Sequence, residues 1–130
     1  MLPGYFLNGL PRIKLTLVGT AEDEIEVIVD TGFNGALTLN SNDAKRLGLL
    51  DRKIIESSKI ADGSNSPFLI HTGTVIYNNK RIENTVVEVQ PECKTLLGMT
   101  LLKQLGLNLF VDPGANKVVL NPTGTGLFRS

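Results

Sequence analysis

Asp30, Thr31 and Gly32 follow the apolar run Val27-Ile28-Val29 and precede the turn-rich Phe33-Asn34-Gly35. A carboxylate at the end of a buried strand can do acid–base chemistry. Neighbouring backbone N–H groups can bond its oxygens, and a water held beside it can give up a proton to it. Gly32 would let the backbone turn close beneath the carboxylate, and the Thr31 hydroxyl could brace the loop. The tripeptide also has a plainer reading. Asp30 would end a strand and hydrogen-bond its own turn, with Gly32 supplying a positive φ. The surrounding elements decide between the two.

Residues 13–18 alternate apolar and polar, the pattern of a half-buried strand, and residues 19–23 read as a turn. Residues 24–29 alternate first and then become wholly apolar, as a strand does when its end is buried on both faces. Residues 36–39 form a short strand. Asn40-Ser41-Asn42-Asp43 offers caps for a helix through residues 44–47, with Gly48 as its stop. Residues 54–68 have strand character on either side of Asp62-Gly63, a hairpin-tip signal. Residues 73–77 and 82–89 form a further hairpin about a turn at 78–81. Residues 95–98 end a strand, and 99–106 read as a short helix stopped by Gly106. Residues 107–112 and 117–120 flank Pro113-Gly114-Ala115-Asn116 as a last hairpin. Many short strands with one or two short helices predict an all-β barrel in a single domain spanning residues 1–130.

Bulk properties narrow the function. A chain of 130 residues with a 42% hydrophobic fraction can bury a core and is not disordered. Thirteen basic residues balance thirteen acidic ones and are scattered, which argues against a nucleic-acid partner. No run approaches the roughly 18 apolar residues of a membrane-spanning helix. Cys93 is the only cysteine, which suits a reducing compartment. The first residues lack a charged segment followed by a sustained apolar one, so the expectation is a soluble cytoplasmic protein.

Other chemistry-bearing residues carry less. His71 has no metal partners and reads as a surface or strand histidine, and Cys93 as a buried or idle thiol. The glycines at 32–35 and 124–126 lack a phosphate-binding pattern. Leu101, Leu102 and Leu105 read as core.

The stretch from Val27 to Gly35 resembles the active-site loop of the retropepsin-like aspartic proteases. These are dimeric relatives of pepsin found in retroviruses and as small cellular proteins. Residues 95–110 are similar to that family's second signature: two apolar residues and a glycine (Leu96, Leu97, Gly98), a short helix, then a closing strand. Ile60, Ala61, Asp62, Gly63 and Ser64 fall where the family carries its flap. The resemblance covers residues 13–111 with all parts in order.

It implies a small closed acid-protease barrel in which residues 96–98 buttress the catalytic loop, with Gly98 permitting close backbone approach. The chain has a single Asp-Thr-Gly, so a complete pair of carboxylates requires Asp30 from each of two chains in a homodimer. Two carboxylates about 3 Å apart share one proton and can activate a water between them. The implied substrate is an extended polypeptide held beneath flaps, with no metal and no organic cofactor. The chain departs from the family at Met99, where retroviral members commonly have Arg. Phe33 stands where Ala is commoner, and the chain runs past Phe110 into an extra hairpin. A competing reading keeps the fold and drops the chemistry, leaving a dimerisation or peptide-binding module.

Overall fold

Ile13, Leu15 and Leu17 are buried while Lys14 between them is exposed, so the alternation in sequence is the alternation of a strand with one face on the core. The computed structural model describes residues 2–49 and 69–122. Its strands are β1 (Leu2–Pro3), β2 (Tyr5–Leu7), β3 (Leu10–Val18), β4 (Glu22–Val29), β5 (Leu37–Asn40), β6 (Leu69–Tyr77), β7 (Lys80–Gln90), β8 (Leu96–Leu97), β9 (Leu107–Asp112) and β10 (Lys117–Pro122). Two helices, α1 (Ser41–Arg46) and α2 (Met99–Leu105), complete the described elements. Neither is long and apolar enough to cross a membrane.

The larger sheet runs β2-β3-β4-β8-β5-β7-β6, and β3 also pairs with β6 through Thr16↔Ile76, Leu17↔Val75 and Val18↔Thr74. That extra pairing closes β3-β4-β8-β5-β7-β6 into a hydrogen-bonded ring. Val27, Leu37, Leu39, Val75, Val87 and Leu97 fill it and are almost fully buried. The all-β expectation with two short helices holds.

Local chemistry explains the joints. Asn40 caps α1, its Oδ1 accepting from the Asp43 N–H at 2.8 Å. Gly106 ends α2 with φ 65°, the left-handed stop that glycine makes cheap. The β6–β7 turn is tighter than residues 78–81. Tyr77 pairs with Lys80, and Asn78 and Asn79 take positive φ, as a two-residue hairpin turn requires. Leu101, Leu102 and Leu105 are buried.

The N-terminal strands were not expected from sequence. β1 pairs with β10 (Leu2↔Leu120, Pro3↔Val119), and β10 pairs with β9, so the chain's start joins its own last hairpin in a three-stranded sheet. β2 pairs with β3, and the Tyr5 hydroxyl donates to Glu26 at 2.5 Å, beside the Arg12–Glu26 ion pair at 2.9 Å.

His71 is a strand histidine and not a surface one. It lies on β6 opposite Val87, fully buried, and neither ring nitrogen finds a hydrogen-bond partner among the described residues. Burial lowers its pKa, because the low-dielectric core disfavours the charged imidazolium. The unfolded chain therefore takes up a proton below about pH 6.5 while the folded chain resists it. Stability is full above that value and falls as pH drops from there toward the lowered folded pKa. Urea midpoints measured from about pH 7.5 down to about pH 5 should fall in the wild type and stay flatter in His71→Leu. Parallel pH dependence of the two proteins would contradict this role.

Candidate active site

Val27, Ile28 and Val29 are all buried at the end of β4, so Asp30 emerges from a strand held on both faces and is itself half-buried. β8 fixes that end. It runs parallel to β4 (Ile28↔Leu96, Val29↔Leu97), and the Ile28 and Asp30 N–H groups donate to the carbonyls of Thr95 and Leu97, both at 2.9 Å. Leu97 also pairs with Leu37 of β5, so β8 bridges the two strands that flank the loop 30–36.

The Asp30 carboxylate is oriented by its own turn. The Gly32 N–H donates to Oδ1 at 2.9 Å and the Phe33 N–H to the Asp30 carbonyl at 3.1 Å. Gly32 does not take a positive φ. Its role is proximity: a Cβ there would lie 3.2 Å from Asp30 Oδ1. Thr31 is exposed, and a backbone brace holds the loop.

That brace is the start of α2. The Gly98 N–H donates to the Ala36 carbonyl at 2.9 Å, Met99 N–H to Phe33 at 2.8 Å and Thr100 N–H to Gly35 at 3.2 Å. The Thr100 hydroxyl adds a 2.5 Å bond to the Asn34 carbonyl. Four bonds thus lash residues 33–36 to residues 98–100. Gly98 makes the approach feasible, since a Cβ there would sit 2.2 Å from the Gly35 carbonyl oxygen and 2.6 Å from that of Phe33. Behind it the buried Thr38 hydroxyl donates to the Lys94 carbonyl at 2.7 Å and accepts from the Leu96 N–H at 2.9 Å. Sequence reasoning missed Thr38 and Thr100. Both are hydroxyls beside a motif, able to bond backbone where a chain segment crosses another.

Asp30, Thr31 and Gly32 thus share one short loop with Leu96, Leu97 and Gly98 packed against it. Ile60, Ala61, Asp62, Gly63 and Ser64 lie outside the described residues. Met99 points its side chain outward and is 44% exposed. With Thr31, Lys103, Leu107 and Leu109 it lines a hollow of about 700 Å³ between the loop, α2 and β9. Cys93 is half-buried, and burial raises its thiol pKa, which favours the protonated thiol.

No family model matches the chain, and no curated protein does. Solved structures do. A retropepsin-like aspartic protease from Rickettsia conorii is similar over 94% of this chain and 89% of its own, with a TM-score of 0.66 and 24% identity. EIAV protease, in complex with the inhibitor HBY-793, is similar over 82% of this chain and 98% of its own, with a TM-score of 0.59 and 22% identity. The retroviral protease-like domain of Ddi1 from Leishmania major aligns with 87% of this chain and 96% of its own, with a TM-score of 0.51 and 16% identity. A ring of short strands, an Asp-Thr-Gly loop braced by a Leu-Leu-Gly strand, and these likenesses agree: the chain has the retropepsin-like aspartic protease fold.

Proposed function

We propose that the chain is an aspartic endopeptidase that works as a homodimer. The observation that carries this reading is the Asp30 carboxylate, fixed at the end of a buried strand by the Gly32 N–H and by β8, within a retropepsin-like fold. One chain supplies one such carboxylate, so the site is half a site. Two copies related by a twofold axis would bring two Asp30 side chains together. One, ionised, would take a proton from a water as the water attacks the scissile carbonyl carbon. The other, protonated, would donate to the carbonyl oxygen, and a proton would then pass to the leaving amine. An extended peptide would lie along the loop beneath the segment around residues 60–64, held by main-chain hydrogen bonds. The exposed Met99 and the hollow beside Thr31 are ground that a second copy would cover.

The test uses a statine-type peptide, which carries a hydroxyl where the attacking water would sit. Tight binding is expected only at concentrations where sedimentation shows dimers, and loss of it in Asp30→Asn. Tight binding to a monomer, or undiminished binding to the variant, would overturn the reading.

A further inference from the structure

Glu88 is a carboxylate that the mechanism above does not use. It stands on β7 between Val87 and Val89, which point into the core, so its own side chain lies on the opposite face. α2 packs on β7, and Thr100 and Gln104 of α2 and Gly35 of the active-site loop line one crevice with Glu88. Glu88 Oε2 is buried without a hydrogen-bond partner among the described residues. It would lie 3.2 Å from a Cβ on Gly35, so it rests against the backbone of the loop that Asp30 begins.

A crevice of about 240 Å³ opens there, lined by Gly35, Ala36, Val86, Glu88, Thr100 and Gln104. Ala36 and Val86 offer apolar wall, Thr100 and Gln104 polar edges, and among the described lining residues Glu88 alone is ionisable. A carboxylate oxygen out of water with no partner is costly. Burial accordingly raises the Glu88 pKa. The cost is relieved by a proton or by a cation, and the apolar wall of Ala36 and Val86 suits a cation carried on an apolar stem. Lysine and arginine have that form, a run of methylenes ending in a charged donor.

We propose that this crevice is a subsite for a basic side chain of the polypeptide substrate, with Glu88 as its counter-ion. The assignment rests on the peptidase reading above, because the crevice adjoins the loop along which an extended peptide would run.

The test starts with binding. N-acetyl-lysine amide and N-acetyl-arginine amide are titrated into isotopically labelled protein, with N-acetyl-norleucine amide as the uncharged control. The cationic probes should shift the amide resonances of Gly35, Thr100 and Gln104 in the wild type, and norleucine should not. The shifts should vanish in Glu88→Gln. A wild type indifferent to charge, or a variant that responds like it, overturns the proposal whether or not the protein cleaves peptides. Cleavage then reads the same contact. The kcat/KM ratio of a lysine-bearing peptide to its norleucine analogue should be about tenfold in the wild type and fall toward one in Glu88→Gln. Cleavage with equal ratios overturns the subsite and spares the peptidase reading. Charge-dependent binding without any cleavage does the reverse.

Discussion

Asp30→Asn is expected to eliminate peptide cleavage while leaving the fold and the dimer in place. The two side chains are nearly isosteric, and the amide oxygen can still accept the bond that the Gly32 N–H now gives to Asp30 Oδ1. The backbone bonds from Asp30 to Leu97 and from Phe33 to Asp30 involve no side chain and should persist. An amide cannot take a proton from water. General acid–base catalysis contributes roughly 10²–10⁴-fold by itself, and the loss is larger when a whole carboxylate pair fails. The measurement is kcat/KM on a mixed peptide pool, with light scattering and melting curves run on the same samples. An inactive, dimeric, folded variant agrees with the account. A variant that cleaves as the wild type does removes Asp30 from the chemistry.

Gly98→Ala is the second large effect, and it acts through packing. A Cβ at residue 98 would meet two backbone carbonyl oxygens and the Phe33 ring, none of which can swing aside like the end of a flexible side chain. Either the start of α2 or the loop 33–36 must move, and the Gly98, Met99 and Thr100 N–H bonds to that loop stretch with it. Overpacking of this kind costs about 3 kcal/mol, a drop in Tm of roughly 10 °C for a chain of this size. Because the loop carries Asp30, catalysis should fall further than the lost stability explains. Gly114→Ala is the control, since its Cβ would meet Asp112 only at an ordinary 3.5 Å. Its effect should stay within about 0.5 kcal/mol. Equal melting curves for the two variants would show that Gly98 does not hold the loop as described.

The elements that position the loop were legible wherever one physical cause set the pattern. β3 has one face on the core, so its alternation predicted its burial. The apolar end of β4 predicted a strand end covered on both sides, and Gly106 predicted the stop of α2. What escaped the sequence depends on partners far along the chain. β1 and β2 are short, Gly4 separates them, and β1 is a strand only because β10 lies beside it. The parallel pairing of β5 with β7 joins residues some fifty positions apart and leaves no local trace. His71 looked like any polar residue of a half-exposed strand until closure of the ring turned it inward. Glu88 sits at a polar position of an alternating strand, half-buried, and only the packing of α2 and the loop near it takes its Oε2 out of water.

The central claim is that one active site is shared by two copies of Asp30, and mixing wild type with Asp30→Asn tests it most directly. After subunits exchange at fixed total concentration, only dimers with two wild-type chains hold a complete pair. Peptidase rate should then fall as the square of the wild-type fraction, to about a quarter in an equal mixture. A straight-line fall, to about half, would mean that each chain works alone and would contradict the account.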